Sequence, residues 1–211
     1  MDIIITKQID LINNDAISTI FGQDAQQHHG AYQVFYDFIK KTEPRRILEI
    51  GTARGGFINF LKECTVDLQI NSDIRSYDIK DRAIYNKMRT KGIDVRIKNI
   101  FDVDYTTCDL NVIDYIKKDG VTIVLCDGAN KIKEFNLLSK YIKPGDFILA
   151  HDYSESFEIF NSKIKLNVWN WCEITEADIF SAVDENNLQY YFKSEFEKIA
   201  WTCRKKINSL L

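Results

Sequence analysis

The chain has 211 residues, of which 45% are hydrophobic and 28% charged, and this length predicts a single domain over residues 1–211. The net charge of −3, with no long basic block and no apolar run of roughly 18 residues, argues against nucleic acid and against a membrane as partners. The five cysteines are odd in number and lack C-x-x-C spacing, which is typical of a reduced, cytoplasmic protein.

Residues 1–44 are predicted to form an N-terminal helical segment that lies over the site of the following core. "QVFYDFIKK" (33–41) is the clearest helix within this segment. His28 and His29 precede that helix, and with no acid or cysteine beside them we interpret them as part of an exposed loop rather than as metal ligands.

Glycine and proline divide residues 45–206 into strands that alternate with helices. The predicted strands are 46–50, 73–79, 94–98, 121–128 and 146–153. The predicted helices between them are 56–64, 81–92, 110–120 and 131–145. This alternation predicts a parallel sheet that is covered on both faces.

The last quarter of the chain breaks the alternation. A helix is predicted over 175–183, with Thr175 as its cap and an acid three residues later. Strands over 188–192 and 198–206 lie too close for a crossover helix and are predicted to be antiparallel. The fold class is therefore α/β: a Rossmann-like three-layer sandwich with a mostly parallel seven-stranded sheet and an antiparallel C-terminal strand pair.

The turn after the first core strand is rich in glycine, which lets a backbone approach a ligand closely. In open parallel sheets, ligands bind outside the carboxyl ends of the strands near such a turn. Its frame, Gly51-x-Ala53-x-Gly55-Gly56, lacks the middle glycine of the dinucleotide pattern. The turn alone leaves a cofactor site and a purely structural connection equally open.

Two acids at strand ends favour the cofactor site. Glu49 ends an apolar strand, where an unpaired carboxylate is costly; it can hold a cationic amino group or accept backbone hydrogen bonds, whereas it would repel a pyrophosphate. Asp78 follows Gly56 by about 22 residues, the separation at which a carboxylate meets ribose hydroxyls. Together they predict a ligand with an amino-acid part and an unphosphorylated ribose.

At these residues the chain resembles the class I S-adenosylmethionine-dependent methyltransferases. "LEIGTARGG" (48–56) looks like their first motif, "SYDI" (76–79) like their ribose-binding segment and "KNIFD" (98–102) like their adenine loop. The resemblance implies that Glu49 faces the methionine part, Asp78 the ribose and Asp102 the adenine. The full set of cofactor-binding residues that it implies is Glu49, Gly51, Thr52, Ala53, Gly55, Gly56, Asp78, Ile79, Phe101, Asp102 and Asp127.

The order of "LEIGTARGG", "LCDGANK" and "KPGDFILAHDY" is similar to that of the small-molecule O-methyltransferase branch, which includes catechol-type, macrocin-type and cephalosporin-hydroxylase-like enzymes. The resemblance implies methylation of a hydroxyl on a sugar-like or phenol-like small molecule. A nicotinamide-dependent dehydrogenase is the rival enzyme class, and Glu49 and Ala53 disfavour it.

Asp127 ends one predicted strand, and His151 and Asp152 end its neighbour, so the three side chains should converge. Such a set can hold a divalent cation that lowers the pKa of a substrate hydroxyl. The resembled branch places Mg²⁺ ligands here, and the histidine shifts the preference toward Mn²⁺. The alternative is that Asp127 caps the following helix while the other two residues form hydrogen bonds across the loops.

Removal of the hydroxyl proton needs a general base. Related enzymes carry Lys or His three residues after the equivalent of Asp127, where this chain has Asn130 followed by Lys131. We predict that the base is His151, which titrates near neutral pH, or Lys131 if burial lowers its pKa. Because Asn130 cannot accept a proton, a cofactor-binding protein without activity remains the alternative function.

Three more side chains carry predictions. Trp169 and Trp171 follow the fifth strand, and core packing or a homodimer contact is favoured over a wall for the substrate. Cys126 is predicted to be a buried, inert thiol.

Overall fold

The structure is a computed structural model that describes residues 5–8, 18–20 and 23–208. The strands in this part of the chain are β1 (Ile5–Gln8), β2 (Ser18–Ile20), β3 (Gln23–Ala25), β4 (Arg46–Ile50), β5 (Asp73–Asp78), β6 (Ile93–Ile97), β7 (Thr122–Cys126), β8 (Phe147–His151), β9 (Tyr153–Ser154), β10 (Ile174–Thr175), β11 (Leu188–Tyr190) and β12 (Trp201–Lys206).

Helices cover both faces of the central sheet. They are α1 (Ala31–Thr42), α2 (Gly56–Asp67), α3 (Ile84–Thr90), α4 (Leu110–Lys117), α5 (Lys131–Leu138), α6 (Phe157–Ile159), α7 (Glu176–Glu185) and α8 (Lys193–Glu197), with a π-helical turn over Phe160–Ile164 directly after α6. Among these helices, none combines the length and the apolar character that crossing a bilayer requires.

Seven strands form the central sheet in the order β11-β12-β8-β7-β4-β5-β6. The five strands from β4 to β8 run parallel, whereas β12 is antiparallel to both β8 and β11. The predicted Rossmann-like sheet with an antiparallel C-terminal pair is therefore confirmed. The chain builds outward from β4 to β6 and then returns to β7, so a crevice opens between the carboxyl ends of β4 and β7.

Alternate residues of the buried strands serve two separate cores. Ile47 of β4 packs with α1 and α2 on one face, while Leu48 packs with α4, α5 and α7 on the other. All five residues of β4, β7 and β8 are buried, as expected for parallel strands that are covered on both faces.

The N-terminal prediction is correct only in part. The helix predicted over "QVFYDFIKK" is present as α1, but β1, β2 and β3 form a three-stranded antiparallel sheet where helices were predicted. These strands include Ile5, Thr6, Thr19 and Ile20, and β-branched residues favour strands over helices.

Several predicted boundaries also move. The helices predicted over 81–92 and 131–145 are limited to α3 and α5, because turns occupy their flanks. The connection between β11 and β12 contains the short helix α8. The predicted capping box at the start of α7 is confirmed, with Thr175 and Asp178 as its members.

Candidate functional site

Two cavities, each of about 330 Å³, lie at the carboxyl edge of the sheet. We call them the acidic cavity, with Glu49, Asp152 and His151 in its lining, and the apolar cavity, with Ile79 and Phe101 in its lining. Both are bordered by the same four residues, Gly51, Ala53, Asp127 and Gly128. The two cavities therefore adjoin across the turn between β4 and α2.

The glycines of this turn are required by the protein's own packing. Gly51 has φ of +93°, and a Cβ there would lie 2.2 Å from the carbonyl oxygen of Asp127. A Cβ on Gly56 would lie 2.3 Å from the carbonyl oxygen of Asp24. Both contacts are with backbone, which cannot yield as a side chain can. The structural explanation of the glycines is thus sufficient, and the case for a cofactor depends on the neighbouring side chains.

Asp78 lies on the wall of the apolar cavity, at the end of β5. Its Oδ2 accepts hydrogen bonds from the Ala53 backbone N–H at 2.8 Å and from the Tyr85 hydroxyl at 2.9 Å, and its Oδ1 accepts one from the Lys80 N–H at 2.8 Å. These bonds fix the carboxylate in one orientation. Ala53 donates with φ of +47°, so the turn is bent around Asp78 despite the missing glycine.

Glu49 is buried in the wall of the acidic cavity. Its Oε2 accepts a 2.5 Å hydrogen bond from the Ser76 hydroxyl, which lies 2.6 Å from the Thr52 hydroxyl oxygen. Burial, with help from the charge of Asp127 and Asp78, raises the pKa of Glu49 to about 8, although the Ser76 hydrogen bond opposes the shift. A carboxyl group in this state gains strongly from a cationic ligand.

Of the predicted adenine contacts, some line the apolar cavity and one does not. Ile79 and Phe101 line the apolar cavity, where the Tyr105 ring stacks on Phe101 with centroids 4.7 Å apart. Asp102 does not border this cavity, and the prediction for its side chain is wrong. Its carboxylate accepts hydrogen bonds from Thr106 and Thr107 and closes the turn that follows. Asn99 borders the cavity instead.

Asp127, His151 and Asp152 converge as predicted, with candidate ligand atoms within 4.8 Å of one another. His151 Nδ1 lies 3.0 Å from Asp127 Oδ1, and the imidazole stacks on the Trp201 ring with centroids 4.8 Å apart. His151 Nε2 is buried and has no hydrogen-bond partner among the described residues. Burial disfavours the charged imidazole, but the charges of Asp152 and Asp127 outweigh this and raise the pKa of His151.

Comparison with known proteins shows the family of this chain. Residues 29–202 match the model of the family described as FtsJ-like methyltransferase. The chain belongs to the FtsJ-like methyltransferase family. Membership decides for a methyltransferase and against a dehydrogenase. No match is found among curated proteins.

Several solved structures share this fold. "CmcI-N160 apo-structure" superposes with a TM-score of 0.64 at 13% identity, over 90% of this chain and 76% of that one. "cmcI-D160 Mg-SAM" gives 0.59 at 13% identity, over 89% and 75%. A putative methyltransferase from Thermobifida fusca gives 0.52 at 8% identity, over 85% and 81%. At these identities the likeness is one of fold.

In this FtsJ-like methyltransferase, Lys131 is part of the acidic cavity. Its Nζ lies 2.8 Å from Asp152 Oδ2, 2.8 Å from Glu173 Oε2 and 3.8 Å from Asp127 Oδ1. Burial favours the neutral amine, but these acids outweigh it and raise the pKa of Lys131. The condition under which Lys131 was predicted to be the base, a pKa lowered by burial, is therefore not met.

Asn130 has a structural role in the methyltransferase. Its Oδ1 accepts a 3.1 Å hydrogen bond from the Lys133 N–H and caps the N-terminus of α5. Asn130 borders neither cavity. The alternative role of Asp127 as the cap of this helix is wrong, because Asn130 provides the cap.

Gln27 is a site residue that no sequence pattern indicated. Gln27 Nε2 donates to Asp127 Oδ2 at 3.0 Å, and Gln27 Oε1 accepts from Trp201 Nε1 at 2.8 Å. Trp169 is buried in a small core cluster against which Trp171 packs, as the favoured interpretation predicts, and both rings also line the acidic cavity. The only signal for Gln27 was the expectation that the N-terminal segment lies over the site. Cys126 is buried, and burial raises its pKa, as predicted for an inert thiol.

His28 and His29 take no part in either cavity. His29 is exposed, whereas His28 is half-buried and its Nδ1 accepts a hydrogen bond from the Gly30 N–H. Burial and the nearby His29 lower the pKa of His28 to about 4.

Proposed function

We propose that the chain uses S-adenosylmethionine to methylate a hydroxyl oxygen of a small molecule. The observation that carries this proposal is the junction of the two cavities. One has the fixed carboxylate of Asp78 and an aromatic lining, and the other has the pair of His151 and Asp127. A donor bound across the shared wall would place its reacting group beside that pair.

The apolar cavity is suited to the nucleoside half of the donor. Ile79 and Phe101 offer apolar surface to the adenine, and Asp78 offers a carboxylate to the ribose hydroxyls. On the other side of the shared wall, Glu49 faces the space for the methionine half. Its buried carboxyl would ionise opposite the cationic amino group, while Asp127 adds negative charge near the sulfonium.

His151 is suited to removing the proton of the acceptor. When Nδ1–H donates to Asp127 Oδ1, the imidazole tautomer leaves a lone pair on Nε2, the atom without a partner. When bound, S-adenosylmethionine would supply an electrophilic methyl group to the acceptor oxygen, and the electron pair of the broken carbon–sulfur bond would stay on sulfur. The hydroxyl proton moves to His151 Nε2, and the products are the methyl ether and S-adenosylhomocysteine.

The size and lining of the acidic cavity support a small acceptor. Its volume of about 330 Å³ is at the lower end of small-molecule sites. Trp169 and Trp171 line it with aromatic rings that lie 5.2 Å apart between centroids. Such rings pack against a sugar or phenol ring, and this supports the predicted substrate classes.

The proposal is tested by methyl transfer from radiolabelled S-adenosylmethionine to a panel of sugars and phenols. Because the general base is lost, His151→Gln is expected to lower the rate about 100-fold or more, while calorimetry finds S-adenosylhomocysteine bound within a few-fold of wild type. The exposed His29→Gln is the matched control and should keep full activity. A His151→Gln enzyme as fast as wild type would remove the proposed base, and a binding-competent protein that methylates no acceptor would favour the inactive alternative.

A further inference from the structure

The oxygens of the acidic cluster already have hydrogen-bond donors from the chain itself. Asp127 Oδ1 is 3.0 Å from His151 Nδ1, and Asp127 Oδ2 accepts from Gln27 at 3.0 Å. Asp152 Oδ1 accepts from Trp169 Nε1 at 2.5 Å, and Asp152 Oδ2 is 2.8 Å from the Lys131 ammonium. A divalent ion binds oxygen lone pairs, and each of the four oxygens of Asp127 and Asp152, two of the three predicted ligands, already lies within hydrogen-bond distance of an N–H group.

The ammonium group of Lys131 lies beside the carboxylate oxygens that a bound ion would need. Its side chain is 7% exposed, and its three N–H bonds match three acceptors: Asp152 Oδ2 at 2.8 Å, Glu173 Oε2 at 2.8 Å and the Gly128 carbonyl oxygen at 3.2 Å. An ion bound to Asp152 would face this ammonium at short range and be repelled by it. The arrangement present does not fit Mg²⁺ or Mn²⁺.

We propose that the Lys131 ammonium is the resident cation of this site and takes the place of a divalent metal ion. It neutralises part of the charge of Asp127 and Asp152, and its bond to Glu173 ties α5 to the segment that carries Trp169. Because its three hydrogens are all used, Lys131 does not contact the acceptor. It is a positioning residue for the proposed base His151, and this part of the inference rests on the proposed function.

The test measures Mn²⁺ binding by electron paramagnetic resonance, independently of activity. Metal-free wild type is expected to bind no Mn²⁺ at this site, whereas Lys131→Ala opens the oxygens of Asp127 and Asp152 and binds one equivalent at least tenfold more tightly. Lys131→Arg keeps the charge and should behave like wild type. Lys133→Ala is the matched control, since Lys133 is an exposed lysine of the same helix.

The inference is overturned if wild type binds one Mn²⁺ that Asp152→Asn abolishes, or if Lys131→Ala binds Mn²⁺ no more tightly than wild type. If Lys131→Ala does not fold, the wild-type protein provides the test. A rate of methyl transfer that is the same with chelator as with added Mg²⁺ or Mn²⁺ supports the inference, and a requirement for metal refutes it.

Calorimetry with S-adenosylhomocysteine on the same samples separates the two proposals. If S-adenosylhomocysteine does not bind, the proposed function is refuted, while the comparison of Mn²⁺ binding still tests the role of Lys131.

Discussion

Glu49 links pH to the stability of the whole domain. Burial raises the pKa of this carboxyl from an ordinary value of 4.5 to about 8 in the folded chain. Between these two values the folded state holds a proton that the unfolded state has lost. The free energy of unfolding therefore falls as pH rises from about 4.5 to about 8, and this contribution levels off above pH 8.

Glu49→Gln is expected to remove this pH dependence, since the amide does not ionise. Urea unfolding measures the free energy of unfolding at pH 5 and at pH 8. Between these two pH values it should fall by on the order of a few kcal/mol more for wild type than for the variant. The exposed Glu185→Gln is the control and should follow the wild-type curve. Parallel curves for Glu49→Gln and wild type would show that Glu49 ionises normally in the folded protein.

The positions of the acids at strand ends could be predicted from sequence, but the environment of Lys131 and the cap of α5 could not. Asp78, Asp127 and His151 reach the carboxyl edge because each directly ends or follows a strand. The raised pKa of Lys131 depends mainly on Asp127 and Asp152 and less on Glu173. Local sequence gives no sign of the contact with Glu173, which is 42 residues away. Asp102 was predicted to face the adenine, but its carboxylate forms hydrogen bonds with Thr106 and Thr107 in the turn that follows it.

At the scale of single elements, α5 depends on its N-terminal cap. Asn130→Ala is expected to lower the free energy of unfolding by about 1 kcal/mol, because the Lys133 N–H loses its acceptor. Asn130→Asp should restore stability, since aspartate caps helices as well as asparagine does. Denaturant unfolding measures both variants, and both should retain methyl transfer. Loss of activity in the stable Asn130→Asp variant would instead assign Asn130 a chemical role.

The strength of each element's pattern explains which elements sequence could predict. The core strands β4, β7 and β8 are short, mostly apolar runs with glycine or proline near at least one end, and they were all predicted. The strands β1 to β3 have three or four residues each and are defined by pairing with one another. A periodicity of two is weak over so short a span, so a helical segment was predicted there instead.

For the whole molecule, the sheet order determines where chemistry can occur. The reversal between β4 and β7 opens the crevice, and the turn that follows β4 divides it into two adjoining cavities. Gln27 connects the N-terminal segment to Trp201 of β12 and to Asp127 at the end of β7. Residues from both ends of the described chain thereby build one site, an arrangement that no local pattern predicts.

The proposed function requires that S-adenosylmethionine binds at this edge with its ribose on Asp78. Calorimetry with S-adenosylhomocysteine tests it most directly, on wild type, Asp78→Asn and Asp102→Asn. We predict one bound equivalent for wild type, an affinity about tenfold or more lower for Asp78→Asn, and an unchanged affinity for Asp102→Asn, whose carboxylate lies off the cavity. Wild type that binds no S-adenosylhomocysteine, or an Asp78→Asn variant that binds it as tightly as wild type, would contradict the claim.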